Sequence, residues 1–346
     1  MSERATLVQR FAAQALSGPP LSDPVAVAER LLAVQAQDGR GARLAVRART
    51  SGLVAADIDR SLTEDRTLLI SWLNRCTLHL VRSEDYPWLH ALTTPPLLKA
   101  NARRLSQEGV TLEAADRGVV TIERALAELG PLTRTQLREH LDSAGVRTEG
   151  QALVHILMLA TLRGIAIRGP MVGREHAYAL VRDWLGEPGS VDREAALAEL
   201  ARRYLAGHAP ADDRDLARWA GLPLRDVRTG LAAIGSELGQ GDDGLLRLSG
   251  RAAGAEEMPP PRLLGPFDPV LLGWVSREAI LGSLRDRVVS GGLFRAFALV
   301  DGRAAGLWKW TKNEVSLDLS ARLASEARAA LEAEAADVAR FLGGGS

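Results

Sequence analysis

One order of helix caps and breaks occurs twice in the middle of this chain and narrows the folds open to it. In "TIERALAELGPLTRTQLREHLDSAG" helical periodicity runs to about Leu129, Gly130 and Pro131 break it, and Thr133 can cap a second short helix through His140. "QALVHILMLATLRG" then reads as a long third helix stopped by Gly164, and "IAIRGP" as a short strand leading to a turn at Gly169 and Pro170. The same order returns in "AALAELARRYLAGHAPADDRDLARWAGLPLRDVRTGLAAIG". There Asp212 is the expected cap of the middle helix, Gly221 and Pro223 form the turn, and "LLRLSG" is the strand. Helix, helix, helix, strand, turn is the winged-helix order. A less obvious third copy reads as "VAERLLAVQ", "GARLAVRART" and "TEDRTLLISWLNR" as successive helices running into the strand-like "CTLHLV".

After Arg251 the pattern changes. Pro259, Pro260, Pro261, Pro266 and Pro269 enforce extended and turn conformations. Beyond them "LFRAFALVDGRAAGLWKWTKNEVSLDL" alternates in strand fashion around the turn signal Asp301-Gly302, with a second turn near Lys312-Asn313. A helix from about Ser325 to Leu342 follows, and the Gly-rich end reads as fraying sequence. The expected fold is mainly α with small β wings: tandem winged-helix domains plus a C-terminal α+β, β-rich domain. The expected segments are 1–115, 116–185, 190–255 and 256–346.

Several function classes fall away. Cys76 is the only cysteine and the six histidines never adopt a metal-ligand spacing, so neither a disulfide framework nor a metal is expected, and no cofactor is called for. Residues 1–30 carry charges throughout and no later stretch approaches about 20 uncharged apolar residues, which argues against export or membrane insertion and for a cytoplasmic protein. Lys plus Arg equals Asp plus Glu at 43 each, so no global basic field advertises nucleic acid. Residues 1–110 nevertheless hold 14 basic against 11 acidic side chains, with Arg40, Arg43, Arg47 and Arg49 crowded around one polar motif. No third helix carries the Arg, Asn or Gln cluster that base-edge readout needs, so the repeated units read as scaffold rather than as a sequence-specific regulator.

That motif is "LLAVQAQDGR", in which an apolar helix ends in Gln35 and Gln37 with the small Ala36 between them. Glutamine cannot carry a proton as a carboxylate does, so a site built on it must act on a substrate that is already reactive. The competing reading is two polar residues filling a helix end. Asp38 could place a charge near an attacking water or cap the helix expected to begin at Arg40. Arg47 and Arg49 stand two residues apart and cannot share one narrow helical face, so at most one points at DNA. In "TLHLV", His79 alternates with Leu78 and Leu80, which would turn it from the core towards phosphate or water, or leave it a structural hydrogen-bonded histidine. His155 reads as a satisfied histidine on an apolar helix, and Cys76 as a small core residue. Asp268 in "GPFDP" braces a turn or holds water. Trp308 and Trp310 share one face of a strand, leaving Lys309 on the other, where it could reach DNA.

Together "LLAVQAQDGRGARLAVRART", "LNRCTLHLV", "GPLTRTQL", "DLARWAGL", "LLGPFDPVLLG" and "VDGRAAGLWKW" resemble the bacterial winged-helix DNA-binding family that includes the AlkZ-type DNA glycosylases. The resemblance implies tandem winged-helix domains around a concave DNA-binding surface and a glutamine, apolar, glutamine catalytic signature, onto which Gln35 and Gln37 fall. It implies hydrolysis of N7-alkylguanine from damaged duplex DNA, interstrand crosslinks included. The expected product is an abasic site, and monomeric action is the default for a multidomain clamp. Asp38 and His79 are further candidates for catalysis or DNA contact, and Arg40, Arg43, Arg47, Arg49 and Lys309 for DNA binding. Two other readings stay open: a noncatalytic winged-helix DNA-binding module and a protein-interaction scaffold.

Overall fold

A computed structural model describes residues 2–173, 175–187, 189–250, 257–319 and 323–344. It is a mixed α/β fold in which helices predominate and the strands form several small β-sheets. Packing divides the chain into two units, one of 1–58 with 197–346 and one of 59–196. The change of pattern after Arg251 and the 255/256 boundary fall on 251–256, and the last two residues of the Gly-rich end on 345–346, all outside the described residues.

In the 59–196 unit the expected break at Gly130 and cap at Thr133 are both observed. Helix Leu112–Leu129 starts at Thr111, whose hydroxyl accepts the Ala114 amide, and stops at Gly130 with φ 76°. Thr133 and Gln136 then form a reciprocal capping box for Arg134–Ser143. Helix Ala152–Leu162 packs on Pro95–Gln107 and Leu112–Leu129, which accounts for its lack of polar side chains. His155 is satisfied there, its Nδ1 lying 2.9 Å from Asn101 Oδ1.

Two strand expectations in this unit are corrected. The stretch taken as a third N-terminal helix is the strand Leu68–Leu73, paired antiparallel with Thr77–Arg82, and the preceding helix is Ala55–Thr63. Every residue of Leu68–Leu73 is buried, and a run apolar on both faces has no period that separates strand from helix. Gly169 and Pro170 are no turn either: they lie inside the strand Ala166–Val172, at a register shift between Arg168 and Met171 against Glu175–Leu180. A bulge removes the need for a proline N–H in the ladder.

In the other unit, Asp212 and Asp215 form the capping box of Asp213–Ala220, which ends at Gly221 in the left-handed conformation. Leu224–Ala233 and the short hairpin Leu238–Gln240 with Leu246–Leu248 complete that run. The C-terminal sheet has the order Glu314–Leu319, Arg303–Thr311, Phe297–Val300, Arg262–Leu264. Both of its tight turns have two central residues at positive φ, Asp301 and Gly302 in one and Lys312 and Asn313 in the other, as the twist of a two-residue hairpin requires. Helix Ser325–Gly343 lies along the Arg262–Leu264 strand. No described helix is long and apolar enough to cross a membrane.

Candidate active site

Helix Pro24–Leu31 does not reach the glutamines. Leu32, wholly buried at φ 63°, turns the chain out of the helix, and Val34–Gln35 is extended. The helix-end placement is therefore corrected: Gln35 and Gln37 occupy a short non-helical connection, with Gln35 in the two-residue strand Val34–Gln35, between Pro24–Leu31 and the next helix, Gly39–Arg47. Gln35 is 6% exposed, as buried as Ala36 beside it, whereas Gln37 is exposed. The pair thus spans from the interior to the surface.

Asp38 is the N-cap of Gly39–Arg47. Its backbone is extended and its Oδ1 accepts the Gly41 amide at 2.6 Å, so the helix starts one residue before Arg40. Of the two roles open to Asp38, the structure displays the cap. Gly41 is required at this position because a Cβ there would collide with the Pro266 carbonyl, and Gly265 lies against Leu44 in the same way. The motif "QDGRG" and the turn "GPFDP" are consequently in direct backbone contact.

The arginines in this helix and just past its end divide into two groups. Arg40 is exposed, and Arg43 is half-buried with Nη1 donating to the Gly39 carbonyl at 2.8 Å. Arg47 turns inward, donating to Glu334 at 2.6 Å, Asp337 at 2.9 Å and the Leu263 carbonyl at 3.2 Å. Glu334 also accepts from Arg262 and from the Leu263 amide, so Arg47 ties the C-terminal helix to both the glutamine helix and the sheet. Arg49 is buried completely. Its Nε donates to the Gln14 carbonyl, Nη1 to the Ala45 carbonyl and Asp268 Oδ2, and Nη2 to Gln14 Oε1 and Asp268 Oδ1, all between 2.8 and 3.1 Å. Every N–H of that guanidinium is therefore used. Arg47 and Arg49 are both buried against protein acceptors and leave no exposed donor surface for a phosphate, which agrees with the expectation that at most one of them points outward and corrects their assignment as DNA contacts. Asp268 braces its turn by accepting the Val270 amide at 3.0 Å as well.

Sequence reading missed Gln14. A glutamine at the end of the apolar face of Glu3–Ala13 was its only local sign, and its Nε2 closes the network on the Pro269 carbonyl at 3.2 Å.

The remaining candidates lie as follows. Lys309 is exposed on Arg303–Thr311, while Trp308 is buried and donates its Nε1 to the Leu264 carbonyl at 2.9 Å. His79, in the other unit, is 2% exposed, with Nδ1 lying 2.9 Å from the Thr77 carbonyl. Alternation failed there because Leu78, His79 and Leu80 are all buried, so no face of that strand is open. Burial, aided by the nearby Arg75 charge, lowers the His79 pKa to about 3 and keeps the ring neutral. Cys76 lies 3.5 Å from the Met158 sulfur, and burial raises its thiol pKa, which opposes a nucleophilic role.

Comparison with known proteins places these residues in context. The family profile described as "DNA glycosylase AlkZ-like" matches residues 28–341. The interstrand DNA cross-link repair glycosylase of Streptomyces sahachiroi is 29% identical over 365 residues, spanning 97% of this chain and 94% of that protein. The structure of the Streptomyces sahachiroi DNA glycosylase AlkZ superposes with a TM-score of 0.79 at 27% identity, covering 99% of this chain and 97% of that one.

Proposed function

The chain belongs to the AlkZ-like DNA glycosylase family, and from that premise we propose that it hydrolyses the N-glycosidic bond of N7-alkylguanine in duplex DNA, crosslinked lesions included, using Gln35 and Gln37. The observation that carries this reading is the placement of two neutral amides, one buried and one exposed, in the connection that leads into the Asp38-capped helix. Alkylation at N7 makes the base a cation and a good leaving group, so its departure needs little acid catalysis and leaves an oxocarbenium-like sugar. A glutamine carbonyl accepts a hydrogen bond from the attacking water, and its NH2 donates to a sugar or phosphate oxygen. The pair therefore positions the nucleophile without a formal base. The product is an abasic site in an unbroken strand, because Lys99, Lys309 and Lys312 are the only lysines and none neighbours the motif in sequence to form a Schiff base.

In this reading the runs 112–180 and 193–248 are winged-helix units, as are the N-terminal elements that carry the glutamines. Arg40, Arg43 and Lys309 are the phosphate contacts retained from the sequence. The protein acts as a cytoplasmic monomer on damaged duplex. A crosslinked base stays tied to the opposite strand and cannot enter a deep pocket, which a site open at Gln37 accommodates. The cross-link repair activity named for the Streptomyces sahachiroi relative supports this substrate class. The test is release of free N7-alkylguanine and unhooking of a matched guanine-guanine crosslink by purified protein without metal or nucleotide. A chain that binds both duplexes and releases neither base is a DNA-binding module instead.

A further inference from the structure

A cleft of about 440 Å³ opens beside 275–289, away from the glutamines in sequence. Arg277 and Arg285 form its wall with Ser276, Glu278 and Asp286, and the exposed Val275 adds an apolar side. Arg277 is fixed in place: its Nε donates to the Leu271 carbonyl, and its guanidinium lies 5.2 Å from the Phe294 ring centre. Among the described residues, neither Arg277 nor Arg285 forms an ion pair, whereas Arg47, Arg49, Arg202 and Arg247 all do. Burial lowers the Arg277 pKa, and the charges of Arg218 and Arg285 lower it further. A half-buried cation crowded by two others is a place where an anion relieves both desolvation and repulsion. Glu278 and Asp286 are exposed, so solvent screens the charge they oppose to it.

We propose that this cleft holds a phosphodiester of the bound DNA strand, its oxygens on Arg277 and Arg285 and its deoxyribose against Val275. The proposal rests on the glycosylase reading and adds to it a backbone contact made by the segment that follows the "GPFDP" turn. A planar guanidinium fork matches phosphate oxygens in pairs, and a second arginine neutralises what the first leaves. The link to the glutamines is a run of direct contacts within one unit. Arg277 stacks on Phe294, Phe294 lies 5.0 Å from Phe267, and Phe267 follows Pro266, whose carbonyl meets Gly41 in the helix capped by Asp38. Phe267 itself is held at φ 58°, a costly conformation for a bulky residue. Fixing that ring fixes the floor under Arg277.

The test is duplex affinity of the full chain across a salt series for wild type, Arg285→Gln, Arg277→Gln and Arg277→Lys. Each glutamine variant should weaken binding several-fold for every sequence and reduce the slope of log affinity on log salt by about one. Arg277→Lys should recover the slope. Affinity should fall more than the saturating single-turnover rate. Arg285 is exposed, so its variant stays informative if Arg277→Gln unfolds. Inorganic phosphate at constant ionic strength is the second probe. Saturable phosphate binding lost in Arg277→Gln, with duplex affinity unchanged, assigns the cleft to a free anion and overturns the proposal. Wild-type affinity and slope in both folded variants overturns it too. A wild type that binds no duplex overturns the glycosylase reading along with it, and that outcome is recognised before any variant is made.

Discussion

Arg49 and Asp268 meet through two parallel hydrogen bonds of 2.9 and 3.0 Å with neither side chain exposed, joining the helix that follows the glutamines to the "GPFDP" turn. Removing one partner strands a buried charge. Asp268→Ala is therefore expected to cost about 3–5 kcal/mol, read as a lower denaturant midpoint, and Arg49→Lys should not restore it because an ammonium cannot make the same five bonds. A loss below about 1 kcal/mol in either variant would show that the pair does not hold the turn to the helix.

Asp38 separates capping from chemistry cleanly. Asp38→Ala should lose about 1 kcal/mol of stability, and Asp38→Ser, which keeps an acceptor for the Gly41 amide, should recover most of it together with the rate of base release. A serine variant with native stability and a collapsed rate would assign the Asp38 carboxylate to the reaction.

For His79 the folded pKa of about 3 lies below the unfolded value of 6.5, so the native state binds fewer protons than the unfolded chain between them. Its contribution is full above pH 6.5 and is lost as pH falls towards 3, at no more than about 1.4 kcal/mol per pH unit. The imidazole resonances should not titrate between pH 5 and 8, and replacing His79 should flatten the acid limb of the stability profile. An imidazole titrating near 6.5 would contradict its burial.

Local rules were legible wherever a few adjacent residues decide the outcome. Thr133, Asp212, Asp301-Gly302 and Lys312-Asn313 all act at the positions their chemistry marks, because caps and two-residue turns are set by near neighbours. The strand Leu68–Leu73 was not, since burial on both faces erases periodicity. The glutamines themselves were legible as a motif, but their conformation was not. Leu32 gives no sign that it leaves the helix, and a left-handed leucine is held by its wholly buried surroundings rather than by its own preference. Arg47 and Arg49 looked like surface charge beside the motif because their partners, Asp337 and Asp268, lie 290 and 219 residues along the chain. The Arg277 and Arg285 cleft left no motif at all. It is lined by residues of short helical turns between Val275 and Val289, with Arg277 held over the Phe294 ring.

If the two amides position the water that displaces an N7-alkylated guanine, their loss must slow single-turnover base release. Wild type, Gln35→Ala and Gln37→Ala are incubated in excess with one alkylated duplex and one matched crosslink, and free base and strand products are followed. Wild type is expected to release the base and leave an unbroken abasic strand, with each alanine variant slowed about tenfold or more while duplex affinity changes far less, corresponding to about 1.4 kcal/mol of transition-state stabilisation per amide. Undiminished release by both variants would contradict the assignment of Gln35 and Gln37, and no release by wild type from any N-alkylated duplex would contradict the reaction itself.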